Sequence, residues 1–154
     1  MKKNLVLFFS ILLILSLIGC NPKSNKKEIV KDNKAYISDN LITTIGNSNK
    51  FHKQEIENAL KVVKNNFDFP ACTLTMICYN EEKSDKISKD YLEGGNGSVN
   101  GAKPENVIVL LTNFYVDNSG NNPVFNPGST YEDYQWILIR DNKSGNWRID
   151  DAGY

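Results

Sequence analysis

Several features that mark common functions are scarce or missing in this sequence. Its 154 residues include one histidine, His52, and no nucleophile signature surrounds it, so neither a Ser-His-Asp triad nor a Cys-His pair is predicted. The single histidine and three cysteines lack the spacing of zinc ligands, and GGNGSVNG lacks the Lys-Ser/Thr pair of a phosphate loop. Basic and acidic residues both number 18, so no basic field predicts nucleic-acid binding. We expect no catalytic set, metal, cofactor or nucleic-acid partner.

The longest apolar segment, Leu5–Ile18, is too short to cross a membrane. A helix of 14 residues spans about 21 Å, whereas the hydrocarbon core of a bilayer is roughly 30 Å thick. Lys2 and Lys3 precede the segment, and the small residue Gly19 follows it. A basic start, a short apolar core and a small residue at its end are typical of a secretory signal.

The end of this segment, LIGC at residues 17–20, resembles the lipobox of bacterial lipoproteins. In that family a diacylglycerol is joined to the cysteine sulfur, and the signal is cut just before the cysteine. The resemblance implies cleavage between Gly19 and Cys20, acylation of Cys20, and an anchor on the extracytoplasmic face of the cell membrane. At roughly 0.8 kcal/mol per buried CH₂, two acyl chains hold a protein stably on a bilayer. An ordinary signal peptide with a chance cysteine is the alternative.

Composition divides the rest of the chain into a tether and one domain. Heavy use of Asn, Lys and Ile suggests an AT-rich genome and a Gram-positive bacterium. Residues 20–40 begin with a polar, lysine-rich stretch without periodicity, which predicts a lipidated N-terminus and flexible tether after a signal peptide at residues 1–19. Its lysines suit either an anionic membrane surface or simple solubility. Residues 41–154 are long enough for a single hydrophobic core.

Hydrophobic periodicity predicts one helix followed by strands. In FHKQEIENALKVVKNNF an apolar stripe recurs at helical spacing, with His52 and Glu55 placed as a capping box and Phe51 and Ile56 as a hydrophobic staple. The period then changes to two, which predicts strands in CTLTMICY, ENVIVLLTNFYVD, EDYQWILIRD and NWRIDDAGY. The last two would form a hairpin around residues 142–145, with Gly145 at a positive φ. The predicted fold is α+β, with one amphipathic N-terminal helix packed on a curved antiparallel sheet of about four strands.

Two cysteines remain if Cys20 is acylated. Cys72 and Cys78 fall on one face of the alternating segment CTLTMIC. Six steps along a strand separate them by roughly 20 Å, whereas a disulfide requires Cα atoms within about 7 Å. The sequence therefore predicts two unpaired, buried thiols.

The order of helix and sheet resembles the NTF2-like and cystatin-like folds, and the chain also resembles an uncharacterised family of Gram-positive lipoproteins. The segments that carry this resemblance are FHKQEIENAL, ENVIVLLTNFYVD, YEDYQWILIRD and WRIDDAGY. The resemblance implies a roll-like fold and an anchored protein. It implies no reaction, because NTF2-like folds include enzymes, binding modules and accessory domains.

Three functions fit these observations. The first is a non-enzymatic surface lipoprotein that binds an envelope protein or a small ligand, in a cavity lined by Tyr115, Trp136, Trp147 and Asp151. The second is a small envelope enzyme that uses an inward carboxylate such as Asp151. The third is a cystatin-like inhibitor or interaction module that presents loops 94–104 and 118–130. The alternative for the four cavity residues is that they are core aromatics and rim charges.

Overall fold

A computed structural model describes residues 34–154 of the chain as a mixed α+β fold. In chain order its elements are β1 (Tyr36–Ile45), α1 (Lys53–Asn66), β2 (Cys72–Tyr79), α2 (Glu81–Gly94), α3 (Gly97–Asn100), β3 (Val107–Val116), β4 (Thr130–Ile139) and β5 (Arg148–Gly153). The five strands form one sheet in the order β1-β2-β3-β4-β5, with β1 parallel to β2 and the other neighbours antiparallel. The predicted signal peptide, the lipobox and the tether up to residue 33 lie outside the described residues.

The α+β class is confirmed, and two elements differ from the prediction. The sheet has five strands rather than about four and is mixed rather than antiparallel, because β1 begins at Tyr36, inside the segment predicted as tether. Two parallel strands need a crossover, and α1 supplies it between β1 and β2. The second difference is α2, a 14-residue helix between β2 and β3, which the predicted fold with one N-terminal helix does not include.

The start of α1 follows the predicted signals. His52 is the N-cap, and the Glu55 carboxylate accepts a hydrogen bond of 2.7 Å from the His52 backbone N–H. Phe51 and Ile56 are both buried in one cluster, as a hydrophobic staple requires. The helix ends at Asn66, four residues before Pro70.

The sheet is covered by a helix on each face. Alternate residues of β3 enter two separate clusters: Ile108, Leu110 and Phe114 pack with α1, whereas Val107, Val109 and Leu111 pack with α2. We call these sides the α1 face and the α2 face. The prediction of a single helix on the sheet was wrong in this respect, because α2 buries Ser84, Ser88 and Tyr91 against the opposite face.

A line of β-bulges crosses the sheet at Asn113. One extra residue in β2, Thr75, and one in β4, Asp133, lie on either side of Asn113. Thr75 Oγ1 donates to the Asn113 carbonyl at 3.0 Å, and the Asp133 N–H donates to Asn113 Oδ1 at 2.9 Å. Asp133 has a φ of 53°, which aspartate tolerates better than most residues. Bulges in neighbouring strands bend a sheet, so this line is where the sheet curves.

The bulge at Thr75 also corrects the placement of the cysteines. An extra residue reverses the alternation of the strand, so Cys72 packs in the cluster on the α1 face and Cys78 against the cluster on the α2 face. They were predicted to share a face. Both thiols are free, as predicted, with Cys72 buried and Cys78 half-buried.

Candidate functional site

The four residues predicted to line a cavity lie on two sides of the sheet. Trp136 and Trp147 are buried in the cluster on the α1 face. Tyr115 alternates with the α1-facing residues of β3, and Asp151 pairs with Ile137 of the α2 face, so both belong to the other side. The sheet separates the two tryptophans from the other two residues, and the predicted shared cavity is therefore wrong.

The carboxylates of β5 do not match the inward acid expected of an enzyme. Asp151 is exposed. Asp150 is the extra residue of a bulge, and its carboxylate accepts hydrogen bonds from the Tyr91 hydroxyl at 2.5 Å and the Asn100 amide at 3.2 Å. Burial, followed by the hydrogen bond to Asp150, raises the pKa of Tyr91 to about 12. These contacts attach α2 and α3 to β5.

The two loops predicted to act together lie far apart. Loop 94–104 precedes the start of β3, and loop 118–130 follows its end. Ten residues at about 3.3 Å each place roughly 30 Å between these ends. Each loop exposes an apolar residue, Val99 at 86% and Val124 at 77%. A single partner would have to span the length of the strand to contact both.

The most perturbed carboxyl of the described residues belongs to Glu81, and its role is structural. The backbone N–H groups of Asn49 and Lys50 and the Ser48 hydroxyl donate to this carboxylate. Led by the bond from Ser48, these contacts lower the Glu81 pKa to about 2. The carboxylate joins the β1–α1 loop to the start of α2 and faces no cavity that we identify.

A cleft with a buried charge lies between α1 and the β4–β5 hairpin. Its volume is about 370 Å³. The residues that line it are Glu55, Asn58, Val62, Arg140, Lys143, Ser144, Gly145, Asn146 and Trp147. We call it the Arg140 cleft, because its wall includes the Arg140 side chain, which is only 4% exposed. Buried arginines are rare unless they are paired, so this residue is the most informative feature of the cleft.

Arg140 is held by contacts from three directions. Its Nη1 donates to Glu55 Oε1 at 2.6 Å, which is an ion pair, and its Nε donates to Asn106 Oδ1 at 3.4 Å. Nη2 donates to the Glu105 carbonyl at 3.4 Å. The guanidinium carbon lies 4.4 Å from the centre of the Trp147 ring, a cation–π distance. These contacts fix the orientation of the guanidinium.

Glu55 joins the cleft to the start of α1. One carboxylate oxygen caps the His52 N–H and the other binds Arg140. Burial, the largest effect, opposes ionisation, but the hydrogen bonds from His52 and Arg140 and the charge of Arg140 together lower the Glu55 pKa. The Glu55 carbonyl also accepts a 3.0 Å bond from Trp147 Nε1. One residue thus connects the helix cap, the arginine and the tryptophan.

The hairpin loop that borders the cleft is shaped by Asn142. Its side-chain oxygen accepts from the Ser144 N–H at 3.0 Å, and its carbonyl accepts from the Gly145 N–H at 2.9 Å. Gly145 was predicted to have a positive φ, and this was wrong. A Cβ at Gly145 would lie 3.1 Å from the Asn142 carbonyl oxygen, so glycine is favoured there by close approach of the backbone.

No direct signal for the Arg140 cleft was found in the sequence. Glu55 was assigned to a helix cap, and Arg140 was one charge at the end of a strand. The two are 85 positions apart in the sequence. A usable hint is the run WILI at residues 136–139, whose four residues are all buried. An arginine that is buried next to such a run needs a charged or hydrogen-bonding partner.

A second cleft, of about 560 Å³, lies between β1 and α1. The charged residues in its lining, Lys53 and Glu57, are exposed and pair with each other at 3.7 Å. It contains no buried charge, so we favour the Arg140 cleft as the candidate site. Within residues 34–154, no cluster of three or more His, Cys, Asp or Glu side chains is placed to hold a metal ion. In the same range, no helix has the length and hydrophobicity that a membrane span requires.

Comparison with known proteins identifies one family. The model of the family described as "Domain of unknown function (DUF4829)" matches residues 47–153. No curated protein and no solved structure gives a significant match. The matched residues include both helices that cover the sheet, four of its strands and all of the Arg140 cleft. The chain belongs to the DUF4829 family.

Proposed function

We propose that this member of the DUF4829 family is a lipid-anchored protein on the extracytoplasmic face of the cell membrane of a Gram-positive bacterium. There it would bind a small ligand in the Arg140 cleft without converting it. The observation that carries the anchoring is the segment LIGC, with its apolar run before Gly19 and its abrupt polar continuation after Cys20. The observation that carries binding is the buried Arg140 side chain in the wall of an open cleft.

The proposed fold family is an NTF2-like or cystatin-like roll. Its support is the line of bulges at Asn113, which bends the sheet, together with α1 packed on one face. The helix α2 on the other face would be an addition to that pattern. The Arg140 cleft lies between α1 and the β4–β5 hairpin, at the edge of the sheet that β5 forms.

A labelling experiment tests the anchor. The full chain would be produced in a Gram-positive host that is fed radiolabelled palmitate, and the cells would be separated into membrane, soluble and medium fractions. We expect labelled protein in the membrane fraction and complete loss of the label in Cys20→Ala. Cys72→Ala is the matched control and should keep the label, because that cysteine lies inside the domain. Unlabelled, processed protein in the medium would overturn the proposal and support an ordinary signal peptide.

A further inference from the structure

We infer that the Arg140 cleft recognises a carboxylate, and that its ligand is a small polar molecule carrying one such group. This inference rests on the proposed function, because it names the class of ligand for the same cleft. Three observations support it: the hydrogen-bond donors that remain on Arg140, the balance of charge in the cleft, and the polar groups around its rim.

The first observation is a count of donors on Arg140. A guanidinium has five N–H donors. Asn106, Glu55 and the Glu105 carbonyl each accept one of them. Within residues 34–154, one N–H on each terminal nitrogen therefore has no acceptor. A planar carboxylate can accept from both terminal nitrogens at once, which is the geometry in which arginine binds carboxylates most strongly.

The second observation is the charge balance. The charged side chains that line the cleft are Arg140, Lys143 and Glu55, which leaves one positive charge in excess. Both oxygens of Glu55 already accept hydrogen bonds, one from His52 and one from Arg140. A single carboxylate on the ligand would neutralise the excess. A phosphate, with up to two negative charges at neutral pH, would exceed it.

The third observation is the rim. Asn58, Ser144 and Asn146 contribute amides and a hydroxyl to the lining, which suits a ligand whose remaining groups are polar. The volume of about 370 Å³ is near the lower end of the range for small-molecule sites. Trp147 contributes the flat surface against which the guanidinium is held. The site therefore offers an oriented cation within a polar cleft of small-molecule size.

Calorimetric titration of the full chain in detergent tests this inference. The probes are gluconate, a polar molecule with one carboxylate, sorbitol, its neutral counterpart, and inorganic phosphate, all at one ionic strength. We expect gluconate to bind at least tenfold more tightly than sorbitol or phosphate. Equal binding of gluconate and sorbitol, tighter binding of phosphate, or no binding of gluconate would each overturn the inference.

Variants of the lining locate the binding. Asn58→Asp adds a negative charge to the cleft on the exposed side of α1 and should weaken gluconate binding about tenfold, by like-charge repulsion. Asn65→Asp makes the same change on an exposed residue of α1 outside the lining, and should have no effect. Lys143→Ala should weaken binding about threefold, in contrast to the exposed Lys61→Ala. Gluconate binding that is unaffected by Asn58→Asp and Lys143→Ala would overturn the assignment to this cleft.

A direct test replaces the arginine. Arg140→Lys keeps the charge but loses the fork of donors, so gluconate affinity should fall at least tenfold. If this variant does not fold, the two lining variants above still decide the outcome. The palmitate experiment measures acylation of Cys20 and does not depend on ligand binding. A wrong assignment of the ligand class can therefore be distinguished from a wrong proposal of a lipid anchor.

Discussion

The hydrophobic clusters on the two faces of the sheet differ in size and in residue composition. The α1 face holds a large cluster rich in aromatic side chains, among them Phe51, Phe67, Phe114, Trp136 and Trp147. The α2 face holds a smaller, mainly aliphatic cluster, with Tyr91 as its one buried aromatic residue. Large rings bury more area per residue than aliphatic side chains. The α1 face therefore provides most of the hydrophobic stabilisation, and the Arg140 cleft lies on that side.

On the α2 face, hydrogen bonds and an ion pair supplement the small apolar cluster. The Val109 N–H donates to Ser84 Oγ at 3.0 Å, and Lys83 pairs with Asp133 at 2.6 Å. The Tyr91 hydroxyl adds its bond to Asp150. An element held by a small apolar cluster and a few hydrogen bonds opens more readily than one held by a large core. We therefore expect α2 to open more readily than α1.

The largest expected effect comes from a pair of adjacent leucines on β3. Leu110 faces α1 and lies opposite Trp136, whereas Leu111 faces α2 and lies opposite Gln135. Leu110→Ala should lower the free energy of unfolding by about 4 kcal/mol and Leu111→Ala by about 2 kcal/mol, because the half-buried neighbours of Leu111 can relax into the space. Urea unfolding of both variants measures the difference. Equal losses would contradict the contrast between the faces.

A smaller effect is expected from Tyr91→Phe, which removes only the hydroxyl on the α2 face. Loss of its bond to Asp150 should cost about 1–2 kcal/mol. The folded-state pKa of Tyr91 is raised to about 12. The contribution of its hydroxyl to the free energy of unfolding is therefore complete below about pH 10 and is lost as the pH rises from 10 to 12. The free energy of unfolding of Tyr91→Phe should therefore not show this part of the decrease at alkaline pH.

Tyr115→Phe is the matched control for that measurement. The Tyr115 hydroxyl is on the same face of the sheet but accepts only a 3.4 Å bond from Asn118. At pH 7 and at pH 11, the free energy of unfolding of Tyr115→Phe, measured in urea, should differ little from that of the unsubstituted protein at the same pH. An equal loss of unfolding free energy in Tyr91→Phe and Tyr115→Phe would contradict a stabilising role for the hydrogen bond between Tyr91 and Asp150.

The smallest effect on the structure is expected from thiol labelling. It compares Cys72 on the α1 face with Cys78 on the α2 face without a substitution in either cluster. In the Cys20→Ala chain, a thiol reagent should modify the half-buried Cys78 in the folded state and reach Cys72 only on unfolding. Burial raises the pKa of both thiols, that of Cys72 to about 11, so little reactive thiolate forms at Cys72. Peptide mass analysis identifies the labelled residue, and Cys78→Ser should abolish the fast reaction. Faster labelling of Cys72 than of Cys78 would contradict the deeper burial of Cys72 on the α1 face.

Prediction from sequence succeeded where the signals were local. The capping box, staple and apolar stripe of α1 all lie within one stretch, and they predicted a helix that begins after His52. β1 was missed because it is an edge strand with largely exposed residues, so it has little alternation to detect. The extent of α2 was missed because Ser84 and Ser88, two of its three buried residues, are polar. A pattern search based on apolar residues does not register buried serines.

The candidate site was harder to predict than the fold. The predicted cavity failed because alternation was read along each strand without knowing which residues pair across strands. Asp151 and Trp136 illustrate this, since the pairing of β4 with β5 decides that they face opposite ways. The pairing of Arg140 with Glu55 was not predicted, because each residue alone fits a local role. Glu55 fits a helix cap, and Arg140 fits a charged residue at the end of a strand.

The sequence by itself determined the local features: the lipobox resemblance at Cys20, the capped helix α1, and the strands of the α+β class. These depend on residues within about one turn or one strand of each other, and so the order of residues is sufficient to specify them. Tertiary structure alone decided which face each cysteine occupies, where α2 packs, and that Arg140 meets Glu55 beside Trp147. Those outcomes depend on bulges and on pairings between distant segments, and only the assembled sheet brings such residues within bonding distance.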